Sequence, residues 1–221
     1  LVGDERVAVQ RGASWWEFQP QSSQSAPVRV GLVFFAGSLV DPAAYAPLAR
    51  SVAESGRPVL LVELPWRGAF GGADGPEVLS RARAAMASTP QVERWVIAGH
   101  SRGGEVAGRF VATGHSQVAG LVLIGTTHPR DIDLSYLTMP VAKVFGTRDG
   151  IAPPDKVARL SGNLPATTHW VKIEGGNHSQ FGCYGFQFWD RIATISREDQ
   201  RALTLGALIH ILELAAAPPV D

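Results

Sequence analysis

The sequence predicts an α/β fold with a mostly parallel, twisted sheet and helices on both of its faces. Short, nearly all-apolar runs recur along the 221-residue chain, and glycine or proline soon follows most of them. Such runs are typical of strands buried on both faces of a parallel sheet. Helix-like segments separate the runs, which implies right-handed crossovers in a doubly wound sheet. The length fits one domain, placed at residues 1–221.

The predicted parallel strands are mostly rich in β-branched or aromatic residues, as buried strands usually are. They are residues 30–35, 58–64, 95–98, 120–124, 141–145 and 170–173. Near the start of the chain, residues 6–10 and 15–19 are predicted to form two antiparallel strands at the edge of the sheet. Ligands of such sheets bind at the carboxyl ends of the strands, so we expect the functional residues there.

Capping signals mark the helices between the strands. Asp41 supplies a capping side chain and Pro42 suits the first helical position, which predicts a helix over residues 43–54. Ser196 precedes an acidic first turn and predicts a final apolar-rich helix over residues 202–216. Residues 77–87 and 103–113 have a similar helix-forming character.

The composition and net charge of the chain indicate which kinds of partner it is expected to bind. Twenty basic and twenty acidic side chains cancel and no basic run stands out, so we expect no nucleic-acid partner. A neutral chain instead suits a small, uncharged substrate. The longest apolar runs are only strand-sized, so we expect no membrane span in this chain. The sequence leaves the oligomeric state open.

The single cysteine, Cys183, excludes an intramolecular disulfide and a cysteine-rich metal site. We expect it to be a small buried residue rather than a reactive thiol. The six histidines show no H-x-x-x-H spacing, so we assign no metal. The compartment stays open: the cytoplasm fits, and so does an extracytoplasmic location if a segment ahead of Leu1 was removed.

A G-x-S-x-G pattern at residues 99–103 lies between a predicted strand and a predicted helix. This pattern is typical of a nucleophile elbow, a sharp turn that exposes a serine hydroxyl at a helix N-terminus. Gly99 and Gly103 would let the strand and the helix pass closely. Ser101 is therefore the candidate nucleophile, and a glycine-rich turn without catalysis is the alternative interpretation.

A serine hydroxyl needs a base to take its proton, and the base is in turn oriented by an acid. Asp149 follows one predicted strand and His178 follows the next, so both reach the sheet edge where Ser101 lies. Serine, aspartate and histidine follow in the order that such an elbow requires. Asp131 and Asp133, which follow the preceding strand, are alternative acids.

Backbone donors and aromatic walls complete the candidate site. The N–H of Arg102, after the nucleophile, is one expected oxyanion donor, and Ser38 or Leu39 in the loop after residues 30–35 supplies the other. Four further residues near this sheet edge are candidates for substrate binding. They are Trp66, His100, Phe181 and Tyr184. Core packing is the alternative for the aromatic residues, and packing or solvent exposure for His100.

Over nearly its whole length the sequence resembles the α/β-hydrolase superfamily, and more narrowly a compact bacterial group related to the dienelactone hydrolases. The segments that carry the narrower resemblance are residues 35–49, 99–104, 146–150, 174–185 and 193–200. The resemblance implies an eight-stranded, mostly parallel sheet and a catalytic triad of Ser101, His178 and Asp149. It also implies hydrolysis of a small-molecule carboxylic ester through an acyl-enzyme, without a cofactor.

Two departures limit what the resemblance implies. Dienelactone hydrolases have a cysteine where Ser101 stands, so their substrate is not carried over. Many members of the superfamily insert a cap domain where this chain has only residues 126–140, so we expect an open site without a cap. Acyl transfer or thioester cleavage by the same triad is an alternative to ester hydrolysis. A non-catalytic binding module that keeps the fold is another.

Overall fold

A computed structural model describes residues 1–21 and 30–217. Its strands are β1 (Val7–Arg11), β2 (Trp15–Pro20), β3 (Val30–Phe35), β4 (Val59–Val62), β5 (Arg94–His100), β6 (Val118–Ile124), β7 (Val141–Gly146) and β8 (His169–Ile173). Within these ranges they form one eight-stranded sheet in the order β1-β2-β4-β3-β5-β6-β7-β8. The pairings of β1 with β2 and of β2 with β4 are antiparallel, and the others are parallel. The predicted fold class and the antiparallel edge are confirmed.

The helices agree with the capping signals and add one short element. They are α1 (Ala46–Glu54), α2 (Pro76–Ala87), α3 (Arg102–Ala112), α4 (Pro154–Arg159) and α5 (Arg197–Ala216). Helix α5 begins at Arg197, directly after the predicted capping residue Ser196, whose hydroxyl accepts from the Asp199 N–H at 3.0 Å. Asp41 likewise accepts from the Ala43 N–H, at the start of a 3₁₀ turn (Pro42–Tyr45) that leads into α1.

The core lies on both faces of the sheet. Leu32 and Phe34 of β3 pack on one face in a cluster with residues of α1 and α5, whereas Val33 and Phe35 pack on the other face with residues of α2 and α3. All four side chains are buried, and burying one such side chain stabilises a fold by about 1.5–3 kcal/mol. This two-sided burial explains why the parallel strands have nearly all-apolar sequences.

The winding direction of the sheet reverses at β3. This strand pairs with β4 on one side and β5 on the other, and the helices that follow β3 and β5 lie on opposite faces. The loops that leave the carboxyl ends of these two strands therefore diverge and open a crevice. The Ser101 turn follows β5 and the Ser38 loop follows β3, so both lie at this crevice.

Residues 125–140 join β6 to β7 without any helix or strand, so no cap domain is inserted there, as predicted. None of the helices in the described ranges combines the length and the apolar character needed to cross a bilayer.

Candidate active site

Ser101 occupies a strained turn between β5 and α3. Its backbone has φ 56° and ψ −119°, a conformation that residues with a side chain rarely adopt. The turn is held by hydrogen bonds from the Ser101 N–H to the Ile124 carbonyl (2.9 Å) and from the Gly104 N–H to the Ser101 carbonyl (3.0 Å). A Cβ on Gly99 or on Gly103 would collide with backbone carbonyl oxygens, so this crossing of strand and helix requires both glycines.

Asp149 and His178 form a buried pair at the carboxyl ends of β7 and β8. Asp149 Oδ2 lies 2.9 Å from His178 Nδ1, and both side chains are almost fully buried. The other carboxylate oxygen accepts from the N–H groups of Ile151 (2.8 Å) and Ala152 (2.6 Å), which fixes the carboxylate. An acid that holds Nδ1 leaves Nε2 as the reactive nitrogen. Among the described residues, His178 Nε2 has no hydrogen-bond partner.

Ser101 and His178 line the same cleft, which has a volume of about 150 Å³. Its remaining walls come from the start of α3, from the loop after β6 and from the loop after Asp149. They are Arg102, Gly125, Thr126, Thr127, His128, Arg130, Ile151 and Ala152. Ser101 and His178 form no hydrogen bond with each other in this structure. Such bonds often tighten only when substrate is bound.

Asp190 connects the loop that carries Asp149 to the loop that carries His178. Its Oδ1 accepts from the N–H groups of Gly150 (3.0 Å) and His178 (3.2 Å). Its Oδ2 accepts from the N–H (2.8 Å) and hydroxyl (2.7 Å) of Ser179. Burial raises the pKa of Asp190, but hydrogen bonds from Ser179, Gly150 and Arg191 outweigh it and hold that pKa below its ordinary value. A charged carboxylate thus fixes the two loops relative to each other.

The three candidate oxyanion donors differ in their hydrogen bonding. Within the part of the chain that is described, the N–H groups of Ser38 and Arg102 have no protein acceptor, as a donor reserved for a ligand requires. The N–H of Leu39 donates to the Arg67 carbonyl at 2.7 Å, and its side chain is exposed. The prediction of Leu39 as an oxyanion donor is therefore wrong, because that N–H closes a contact between two loops.

A buried bridge joins the Ser38 loop to the serine turn. The Gly37 N–H donates to the Tyr45 phenol oxygen (3.1 Å), which lies 2.8 Å from Nδ1 of His100. Burial lowers the pKa of His100 well below its ordinary value, with a further contribution from His178, and burial raises the pKa of Tyr45. Both groups are thus neutral near pH 7. The Tyr45 phenol oxygen therefore contacts both the Gly37 N–H and His100 Nδ1, and the tautomer of His100 decides which group donates in the second contact.

None of the four predicted pocket residues lines the cleft of Ser101 and His178. Trp66 is 76% exposed, on a turn outside the cleft. His100 and Phe181 are buried against each other, with ring centroids 5.4 Å apart. The Tyr184 hydroxyl donates to the His178 carbonyl at 3.4 Å, behind the imidazole. The walls of this cleft therefore come from other residues, and substrate binding by these four side chains stays a prediction.

The alternative acids and the single cysteine are not among the residues that line the cleft, whereas His128 is. Asp131 and Asp133 are exposed, and Asp133 accepts from the Ser135 N–H within its own loop. His128 lines the cleft, where its Nε2 lies 2.9 Å from Glu105. Cys183 is exposed rather than buried, because its segment runs over the surface after the turn at Ser179–Phe181.

Sequence reasoning missed Asp190 and Tyr45. Neither belongs to a local pattern: Asp190 follows an irregular aromatic stretch, and Tyr45 is an ordinary residue at the start of a helix. Their contacts span 40 and 55 positions, to Gly150 and His100 respectively, and only the folded chain brings these partners together.

Many solved structures share this fold, and three examples show how similar they are to this chain. The monoacylglycerol lipase of Paleococcus ferrophilus superposes with a TM-score of 0.63 and 15% identity, covering 84% of this chain and 96% of that chain. Est1E of Butyrivibrio proteoclasticus superposes with a TM-score of 0.62 and 12% identity, and the match covers 94% of this chain and 99% of that chain. Esterase 2 of Thermogutta terrifontis, phosphorylated by paraoxon, superposes with a TM-score of 0.64 and 16% identity, and the match covers 96% of each chain. At these low sequence identities, the similarity shows a shared fold only.

A search of curated protein sequences finds no match. The family model described as "Alpha/beta hydrolase family" matches residues 31–202, which run from β3 into α5 and include Ser101, Asp149 and His178. Because this model matches more than half of the chain, the chain belongs to the alpha/beta hydrolase family.

Proposed function

We propose that this protein hydrolyses carboxylic esters through an acyl-enzyme, with Ser101 as nucleophile, His178 as base and Asp149 as the acid that orients it. The observation that carries the proposal is the buried 2.9 Å contact of Asp149 with His178, in a cleft shared with the strained Ser101 turn. Strain at a serine is retained where the surrounding structure enforces it, and active sites are where such strain concentrates. Membership of the hydrolase family agrees with this chemistry.

The first half of the reaction forms the acyl-enzyme. The Ser101 oxygen attacks the ester carbonyl carbon while His178 Nε2 takes the hydroxyl proton. Asp149 holds Nδ1–H and stabilises the positive imidazolium. The N–H groups of Arg102 and Ser38 donate to the carbonyl oxygen as it becomes negative. The C–O bond then breaks, and the alcohol leaves with the proton from His178.

The second half repeats these steps with water. His178 Nε2 takes a proton from water as its oxygen attacks the acyl carbon, and the same two N–H groups stabilise the second oxyanion. The bond to Ser101 breaks, the serine oxygen regains its proton from His178, and the carboxylic acid leaves. No cofactor is needed for either half.

The test is hydrolysis of p-nitrophenyl esters of increasing chain length by the native protein and by Ser101→Ala. We expect kcat/KM to fall by at least about 10⁴-fold in the variant. Ser161→Ala, at an exposed serine outside the cleft, is the matched control and should leave the rate unchanged.

A second measurement tests the nucleophile without requiring the natural substrate. A fluorophosphonate probe should add one covalent group to the native protein, located on Ser101 by mass spectrometry, and none to Ser101→Ala. If the native protein and the variant hydrolyse every ester at the same rate and neither is labelled, the proposal is wrong. A non-catalytic binding module that keeps the fold is then the better interpretation.

A further inference from the structure

The candidate active-site cleft borders a second, larger cavity. This cavity has a volume of about 390 Å³ and shares Thr127, Arg130 and Ile151 with the cleft of Ser101 and His178. Its other walls are Lys156, Arg159 and Leu160, from α4 and the residue that follows it. We call this second cavity the basic groove. The groove therefore lies next to the cleft that holds Ser101, within reach of a distal group of a bound substrate.

Neither the cleft nor the basic groove is lined by an aspartate or glutamate, although the chain carries twenty acidic side chains. The cations that line them are Arg102, Arg130, Lys156 and Arg159. In a chain with a formal net charge of zero, the only charged side chains of Asp, Glu, Lys and Arg that line these two cavities are positive. A cleft lined by one sign of charge concentrates ligands of the opposite sign.

Two of the four cations are already neutralised by carboxylates. Arg102 pairs with Asp74 and with Glu105, and Arg159 pairs with Asp155 one helical turn away. Within the described ranges, Arg130 and Lys156 form no ion pair with a carboxylate. Arg130 donates through Nε to the Thr127 hydroxyl (2.7 Å), which anchors the guanidinium and leaves its two terminal nitrogens for a ligand.

A buried lysine contacts the loop that carries Arg130. Lys143 of β7 is almost fully buried, and its ammonium group donates to the His128 carbonyl in the same loop as Arg130. Burial lowers the pKa of Lys143 to about 7, with a further contribution from the charge of Arg130. An anion bound at Arg130 would reduce the repulsion between these two groups.

We propose that the basic groove binds an anionic group of the ester substrate, a carboxylate or a phosphate, through Arg130 and Lys156. This inference rests on the proposed function and names the substrate class. A planar guanidinium with free terminal nitrogens can bind either group in a bidentate manner, and the lysine adds a point charge. The anion lies away from the reacting carbonyl, so it contributes to substrate binding and acts mainly on KM.

The kinetic test compares matched substrates. The anionic acyl series consists of p-nitrophenyl monoesters of dicarboxylic acids from adipate to sebacate, and its neutral counterparts are p-nitrophenyl esters of fatty acids of the same lengths. The p-nitrophenyl ester of a phosphonoalkanoic acid distinguishes phosphate-like anions from carboxylates. Acetate esters of hydroxy acids, followed by acid release, place the anion on the alcohol side instead.

We expect kcat/KM for an anionic ester of suitable length to exceed that of its neutral counterpart by about tenfold or more, mainly through KM. The double variant Arg130→Gln/Lys156→Gln should lose this preference, measured within that variant as the ratio of kcat/KM for the anionic ester to kcat/KM for its neutral counterpart. Arg6→Gln/Arg83→Gln removes the same charge from exposed positions outside both cavities and should keep the preference. Added salt should weaken the preference in the native protein.

Binding to Ser101→Ala provides a readout that does not depend on turnover. Calorimetry should show suberate binding to this variant, and weaker or no binding once Arg130→Gln/Lys156→Gln is added. Octanoate, which lacks the second carboxylate, should bind more weakly than suberate. The groove proposal is overturned if suberate and octanoate bind alike, or if the preference for anions survives in the double variant. If the native protein neither hydrolyses neutral esters nor becomes labelled at Ser101, the proposed function is overturned instead. The two failures are therefore distinguishable.

Discussion

The phenol oxygen of Tyr45 lies 2.8 Å from Nδ1 of His100, the residue before the candidate nucleophile. The same oxygen accepts from the N–H of Gly37, which precedes the candidate oxyanion donor Ser38. One buried side chain thus connects the two loops that must approach the substrate carbonyl from different strands. Oxyanion donors act only at defined distances from the carbonyl oxygen of the substrate. We therefore expect this contact to affect the catalytic rate as well as the stability of the fold.

Tyr45→Phe keeps the ring and removes the bridge. We expect kcat to fall about tenfold with little change in KM, less than the ~10²–10³ loss that follows removal of an oxyanion donor itself. The free energy of unfolding should drop by about 1–3 kcal/mol, because buried polar groups of Gly37 and His100 lose their partner. Steady-state kinetics and urea unfolding measure the two effects. Tyr136→Phe, at a tyrosine that is 63% exposed, is the control. An unchanged kcat in Tyr45→Phe would show that Ser38 is positioned without the bridge.

Asp190→Asn tests the carboxylate that joins the loops of Asp149 and His178. Asparagine has one acceptor oxygen, so it keeps the contacts to either Oδ1 or Oδ2 and loses the other set. We expect kcat to fall more than KM rises. The acid limb of the kcat/KM profile should move to lower pH, because the imidazolium loses a nearby negative charge. A pH–rate profile measures this shift, with the exposed Asp133→Asn as control. A lower kcat with an unmoved profile would leave Asp190 only a structural role.

The order and type of the elements could be predicted from the sequence, because the signals are local. Apolar runs marked the buried strands, and Asp41 and Ser196 marked helix starts that the structure confirms. The serine turn was also predictable, since both glycines that the crossing requires lie within two residues of Ser101. The narrower resemblance to dienelactone hydrolases and the catalytic roles of the triad stay predictions.

The surroundings of the candidate site could not be predicted, because they depend on contacts between distant segments. The aromatic residues after His178 occur at the right place in the chain, but their side chains pack behind the imidazole instead of lining the cleft. The net charge of zero suggested an uncharged substrate, yet it averages over the whole surface. Only the fold places Arg130 and Lys156 beside a cleft that no carboxylate lines.

Lys143 makes stability depend on pH. Its pKa in the folded chain is about 7, below the ordinary value of 10.5. Between these values the unfolded chain binds a proton that the folded chain does not, so stability rises with pH there. The slope approaches about 1.4 kcal/mol per pH unit. Below pH 7 both states are protonated, and the full penalty of the buried charge remains.

Lys143→Met should remove this contribution, so the variant gains stability over the native protein near pH 6 and loses that advantage towards pH 9. Urea unfolding at several pH values between these limits measures the difference. Lys172→Met, at a lysine side chain that is 58% exposed, should follow the native curve. Parallel curves for the native protein and Lys143→Met would mean that Lys143 stays charged in the folded chain throughout this range.

Two glycines should respond in opposite directions to the same change. A Cβ on Gly103 would collide with the carbonyl oxygens of Phe35 and Ala36, so Gly103→Ala should destabilise the fold by about 3 kcal/mol or more, or prevent folding. Gly206 is exposed within α5 and has no atom near that position, so Gly206→Ala should stabilise the protein by about 0.5–1 kcal/mol. Urea unfolding of both variants measures these changes. A Gly103→Ala variant of native stability would mean that β3 and α3 can move apart, and the close crossing would then not be what requires glycine beside Ser101.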